Sequence, residues 1–329
     1  MRTLRVLHKH GTAQLYVHKA SFCNNAHGVL RHMGGSMARR SEEDPIMTTP
    51  NNLTDYESFL RAKTAVASPA GTPISPERIN PRLKPHQRLM VQWMVEMGRA
   101  ACFASFGIGK TVMQLETCKI LGERGHGDAL IVAPLGVRGE FTRDAEMLGY
   151  QLTFIRTDEE YANTSEKTPG LYITNYESIR DGKLDPRQFT VTSLDEAAVL
   201  RGFGATKTFR EFMRLFDGVQ SKIVATATPS PNEFVELLAY SAYLEVMDVG
   251  QAKTRFFKRD SQKADRLTIH PHKKREFWLW VSSWALFVQH PRDLGCDAQG
   301  YDLPPLRRRG GKASDDNGLR SNAGNIAGG

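Results

Sequence analysis

Lys110 and Thr111 close the run FASFGIGKT (residues 103–111), in which an apolar stretch meets a turn of small residues and then a long amphipathic segment. Those residue types in that order suit the binding of a phosphate chain. Residues 104–111 follow the pattern G-x-x-x-x-G-K-[ST], with Ala104 in place of the first glycine and Ser105, Phe106, Gly107 and Ile108 ahead of Gly109. In such a loop the backbone N–H groups of a Gly-rich turn converge on phosphate oxygens at a helix N-terminus. The lysine neutralises the β/γ-phosphates, and the hydroxyl holds magnesium. Gly107 and Gly109 permit close backbone approach, and alanine is small enough for the turn to survive. A Gly-Lys-Thr turn can also simply end a strand. With a strand expected before it and a helix after it, the phosphate reading prevails. A dinucleotide loop, G-x-G-x-x-G, would need glycine where Val112 stands.

A second element of this chemistry belongs at the end of a later strand, where one acid holds the metal and a neighbour handles an attacking water. The run FTVTSLDEAA supplies Asp195 and Glu196 there. Adjacent acids can be mere surface charge at a strand end; paired with an upstream phosphate loop they become specific.

The elements that must position these groups are legible from residue 84 onward, where short apolar runs alternate with helical patterns, as a parallel α/β sheet requires. The expected strands are residues 100–105, 129–134, 152–157, 171–176, 189–195 and 222–228. Helix-like pieces lie at 111–121, 137–148 and 206–216. Runs apolar on both faces imply helices on both sides of the sheet. After residue 233 the pattern reads as helical, including REFWLWVSSWALFV (275–288), where Phe277, Trp280, Val281, Trp284 and Val288 would share one face as core. The expected division is a poorly structured extension and linker over 1–80, with a short helix near 54–66, a phosphate-binding lobe over 81–245, a helical extension over 246–305 and a disordered basic tail over 306–329.

Composition sets the outer bounds. The 329 residues are 40% hydrophobic and 24% charged, and the net charge is +8. Residues 1–46 contribute +4 and residues 306–329 contribute +3, so the basicity sits in the flanks. The four cysteines show no C-x-x-C spacing, which disfavours a zinc site or a disulfide framework and fits a reducing cytoplasm. The five histidines before residue 33 lack paired spacing and are assigned nothing. No run is apolar and long enough for a membrane helix. Residues 1–41 contain no acid, as in an organellar transit peptide; the preferred reading is an upstream start, with Met47 the real beginning.

Taken in order, LKPHQRLMVQWM, FASFGIGKT, LIVAPLGVRGEF, YITNYES, SLDEAAVLRGFGATKT and ATATPSPNEF resemble the motifs of superfamily-two helicases, most of all the Swi/Snf-type branch with its small phage-encoded relatives, over residues 83–305. The resemblance implies a P-loop NTPase fold of the RecA-like kind: a parallel sheet with helices on both faces, ATP and Mg2+ as cofactors, and nucleic acid as partner, DNA before RNA. It implies that Gln87 reads the adenine, that Pro134, Arg138, Asn175 and Tyr176 touch a nucleic-acid backbone, and that Thr226, Ala227 and Thr228 couple nucleotide to nucleic acid. Lys110, Asp195 and Glu196 would be catalytic, with Thr111 and Asp195 on the metal. Ala198 departs from the family, standing where many relatives carry a polar His or Asp. The family's second RecA-like lobe is not recognisable in this sequence, so the expectation is a first lobe that is weakly active alone and completed by a second lobe in trans. Two alternatives stay open: a catalytically idle, ATP-dependent nucleic-acid-binding module, and a small-molecule phosphotransferase, for which no lid or acceptor pocket is apparent.

Overall fold

The computed structural model describes residues 2–8, 11–17, 66–164, 169–202, 212–230, 233–259 and 267–301. Met47, the helix expected near residues 54–66 (apart from Val66), most of the 206–216 piece and the basic tail lie outside them. Near the amino end, β1 (Arg2–His8) and β2 (Gly11–Val17) pair antiparallel, a departure from the poorly structured extension expected over 1–80. The chain then enters helix α1 (Pro85–Met97), strand β3 (Arg99–Ala104) and helix α2 (Lys110–Gly125). Next come β4 (Ala129–Ala133), α3 (Arg138–Leu148), β5 (Leu152–Phe154) and α4 (Asp158–Thr164). They lead into β6 (Leu171–Asn175), α5 (Tyr176–Arg180), β7 (Val191–Asp195), α6 (Val199–Gly202) and β8 (Ser221–Thr226).

Seven strands form one sheet in the order β11-β3-β8-β7-β4-β6-β5, and every neighbouring pair is parallel. All six expected strands are in it. Successive side chains of a strand point to opposite faces, and the two cores divide the sheet that way. Ala100, Cys102 and Ala104 face the core built on α1, α2 and α3, with Met90, Met94, Met113, Leu115 and Phe141. Ala101 and Phe103 face the other core, which holds Tyr240, Phe256, Phe277, Trp280 and Trp284. Because both faces are covered, β4 (ALIVA) is buried throughout.

The carboxyl part differs from the helical expectation in two places, the β-pair within 257–269 and the strand at 285–288. Helices α7 (Leu237–Tyr243), α8 (Val249–Phe256) and α9 (Lys274–Ser282) are present, and β9 (Phe257–Arg259) pairs antiparallel with β10 (Leu267–Ile269). The stretch 275–288, however, is not one helix. It stops at Ser282, and Ala285–Val288 becomes β11, laid parallel along β3. Ser282 and Ser283 donate their hydroxyls to the carbonyls of Leu279 and Trp280, a competition with the backbone ladder that suits a helix end. The open edge of β3 then decides the outcome: Ala101 N–H donates to Trp284 O and Ser105 N–H to Val288 O. Phe277, Trp280, Val281 and Trp284 do share a core, whereas Val288 points to the opposite face. Among the described residues no helix is long and apolar enough to cross a membrane.

Candidate nucleotide site at the carboxyl edge of the sheet

The loop between β3 and α2 has the backbone that its glycines permit. Gly107 and Gly109 take φ values of +79° and +95°, in the left-handed region that favours glycine. A Cβ on Gly109 would lie 2.2 Å from Nε2 of Gln87, while around Gly107 nothing stands within 4 Å. Helix α2 begins at Lys110 with no side-chain cap, so its first N–H groups are left for another acceptor beside the loop. The Lys110 ammonium turns back over the loop, donating to Ala104 O (3.1 Å) and Ser105 O (3.3 Å). Phe106, at the tip, is 78% exposed, with the Lys110 Nζ 5.1 Å from its ring centre. Uncapped donors, a cation and the Thr111 hydroxyl make a fitting cradle for a phosphate chain with its divalent cation.

Gln87 is buried against this loop: its Nε2 donates to Ile108 O (3.0 Å) and its Oε1 accepts from Lys84 N–H (2.9 Å). Both ends of the amide are thus engaged in shaping the loop. His86 Nε2 lies 3.2 Å from the same carbonyl, and burial lowers the pKa of its ring.

Asp195 ends β7. Because all seven strands are parallel, it lies on the same edge as the phosphate-type loop, and only β8 separates β7 from β3, about 10 Å at ordinary strand spacing. Gln114, one helical turn beyond Lys110, closes the distance: its Nε2 donates to Asp195 Oδ1 at 2.8 Å, and its Oε1 accepts from Ser193 Oγ at 2.8 Å. Burial raises the Asp195 pKa and Glu196 adds to the rise, against the hydrogen bond from Gln114 and the charge of Lys110. Lys110 and Asp195 therefore feel each other across the edge.

Glu196 sits at φ +50°, a left-handed conformation for a residue with a side chain. Its Oε1 accepts from Thr226 Oγ1 at 3.3 Å, and the same Thr226 oxygen accepts from Thr228 N–H at 3.2 Å. The end of β8 with Thr226, Ala227 and Thr228 is thereby brought against the acidic pair.

The four residues expected at a nucleic-acid backbone lie at or just past the carboxyl ends of β4 and β6, on this same edge. Pro134 caps a short turn, and Arg138 opens α3 with its guanidinium 4.1 Å from the Phe154 ring centre. Asn175 caps α5, its Oδ1 accepting from Ser178 N–H (3.1 Å) and Ser178 Oγ (2.6 Å). Tyr176 turns inward: its hydroxyl donates to the main-chain carbonyl of Asp195 at 2.6 Å, and burial pushes its pKa well up, which keeps it a donor.

Gln114 and Ser193 were not foreseen. The signal was present, since Gln114 interrupts the run of apolar side chains on a helix packed against the sheet, and a polar group buried there needs a partner. Cys102 and Cys118, both buried with thiols pushed up to about 12, are unreactive.

The sequence matches no family model and no curated protein. Among solved structures, the chain is similar to the SWI2/SNF2 ATPase core of Sulfolobus solfataricus in complex with dsDNA, with a TM-score of 0.51 and 18% identity, over 65% of this chain and 46% of that one. The same core domain without DNA gives 0.48 at 18% identity, over 66% and 45% of the two chains. The UvsW helicase of bacteriophage T4 gives 0.36 at 15% identity, over 60% and 66%. The chain spans less than half the length of the SWI2/SNF2 core chains it matches. Over the part the two share, its fold is the RecA-like α/β fold of the SWI2/SNF2 ATPase core in its DNA complex.

Proposed function

We propose that this chain is the ATP-binding lobe of a nucleic-acid-dependent ATPase of the helicase or DNA-translocase type. The observation that carries the reading is the hydrogen bond from Gln114 to Asp195, which ties the helix of the phosphate loop to the acidic pair at one sheet edge. The loop N–H groups and Lys110 would hold the β- and γ-phosphates, and Thr111 with Asp195 would hold magnesium. Bound there, magnesium neutralises phosphate charge. Glu196 would orient a water and take its proton as the water oxygen bonds to the γ-phosphorus and the bond to the ADP oxygen breaks. Thr226, the last residue of β8 and hydrogen-bonded to Glu196, would report the state of that site to Ala227 and Thr228 just beyond the strand.

DNA is the preferred partner over RNA, by analogy with the dsDNA bound to the structurally similar SWI2/SNF2 core. Pro134, Arg138 and Asn175 offer a helix start and short polar groups at the same edge, suited to phosphate oxygens. Tyr176, engaged with Asp195, would act by linking that surface to the acids. Gln87 would serve the base side of the nucleotide through the loop it supports. A transition-state arginine, worth about 10³–10⁵ in rate, would come from a second RecA-like lobe in trans, so the chain alone would turn over slowly in the cytoplasm.

The test is ATP hydrolysis by the full chain with and without duplex DNA. DNA-stimulated turnover that is lost in Lys110→Ala and Glu196→Gln supports the reading. Tight, DNA-promoting ATP binding with no turnover would favour an idle binding module instead.

A further inference from the structure

Gln114 and Ser193 are fully buried, take no part in the chemistry assigned above, and lie beside Asp195. An ionised carboxylate can only accept hydrogen bonds, so the amide end facing Asp195 Oδ1 must be the –NH2 group. The other end, Oε1, needs a donor, and the Ser193 hydroxyl at 2.8 Å supplies it. Ser193 therefore sets which way round the Gln114 amide stands; with the amide reversed, its oxygen would face the carboxylate and repel it. Tyr176 holds the main-chain carbonyl of the same residue. The main-chain N–H of Glu196 also hydrogen-bonds the Asp195 carboxylate.

We propose that Gln114, oriented by Ser193, is the positioning residue of Asp195: its amide holds the carboxylate through Oδ1 in the orientation that presents it to the divalent cation. Gln114 holds the acid without neutralising it, as a lysine or arginine in its place would. It also sits on the same helix as Thr111, so the two groups assigned to the cation share one rigid element. The inference rests on the reading that Thr111 and Asp195 hold the metal of bound ATP.

The experiment titrates Mn2+, followed by its paramagnetic resonance, into the full chain saturated with a non-hydrolysable ATP analogue. Binding of a fluorescent ATP analogue in EDTA and thermal unfolding are measured alongside. Gln114→Met keeps length and helix propensity but removes the donor. It is expected to raise the Mn2+ concentration at half-saturation about ten- to hundredfold, with nucleotide binding in EDTA unchanged. Ser193→Ala, which deletes one oxygen and serves if Gln114→Met fails to fold, is expected to shift it the same way by a smaller factor. In an Asp195→Asn background neither change adds a further shift. Unaltered Mn2+ binding in both single variants, with Asp195→Asn itself weakened, overturns the positioning role alone. Unaltered binding in Asp195→Asn overturns the metal site and the positioning role together.

Discussion

At the scale of single residues, the two loop glycines illustrate that a conformational and a packing requirement can be separated. Both have positive φ, but only Gly109 has a neighbour where a Cβ would go, the Gln87 amide at 2.2 Å. Gly107→Ala meets open space and is expected to cost about 1 kcal/mol, the penalty of a left-handed alanine. Gly109→Ala adds a collision at a side chain bonded on both ends. It is expected to cost about 2–3 kcal/mol and to displace the loop. Thermal unfolding and binding of a fluorescent ATP analogue check this: equal stability and affinity in the two variants would show that Gln87 does not brace the loop.

At the scale of elements, the aromatic helix α9 and the strand β11 after it do different work. Phe277, Trp280 and Val281 fill the core on one face of the sheet, with Trp280 stacked 5.1 Å from Phe256 and edge-on to Trp284 at 5.5 Å. These rings are core and not a base-stacking platform. Trp280 is fully buried, so Trp280→Ala is expected to destabilise by about 3–5 kcal/mol, read from the urea midpoint at unchanged slope. The strand β11 reaches the phosphate-type loop itself, through Ser105 N–H on Val288 O. How much of this was legible is instructive. The run WLWVSSWALFV is apolar enough for either a buried helix or a buried strand, and periodicity alone does not separate the two in a short stretch. What selected strand for ALFV was the unpaired edge of β3, a partner more than 180 residues earlier in the chain.

At the scale of the whole molecule, the sheet carries the candidate site at its carboxyl edge and a charge cluster at the other. Arg99 begins β3, Lys222 is the second residue of β8, and both pair with Glu245. The Lys222 side chain is 2% exposed and that of Glu245 38%. Burial pushes the Glu245 carboxyl up, but the hydrogen bonds from Lys222 and Arg99 outweigh it and hold the pKa below the ordinary value. A carboxyl lowered in the folded state stabilises it above the ordinary pKa, and that contribution is lost as pH falls through the lowered one. Glu245→Gln is therefore expected to cost about 2 kcal/mol at neutral pH, less than a fully buried pair because water reaches Glu245. The gap from the parent should close as pH falls below the ordinary glutamate range and through the lowered pKa; a gap independent of pH would show that it does not come from the ionised pair. The other prediction at this scale concerns partners. With a net charge of +8 and the proposed phosphate-binding edge, affinity for duplex DNA should fall at least about tenfold between 50 and 200 mM salt. A flat response would remove the electrostatic basis of the proposed DNA binding.

Local sequence determined the parts that depend on near neighbours. Six strands, the turn over residues 104–109, the helix behind Lys110 and the acidic pair at a strand end follow from periodicity, from glycine's access to positive φ and from the chemistry of short motifs. Only the tertiary structure decided which of these parts meet. The strand order inserts β8 between β3 and β7, brings Gln114 to Asp195, turns Tyr176 onto the Asp195 carbonyl and sets Thr226 beside Glu196. Strand order arises from packing between segments far apart in the chain, and a buried polar side chain takes its role from whichever partner that packing delivers.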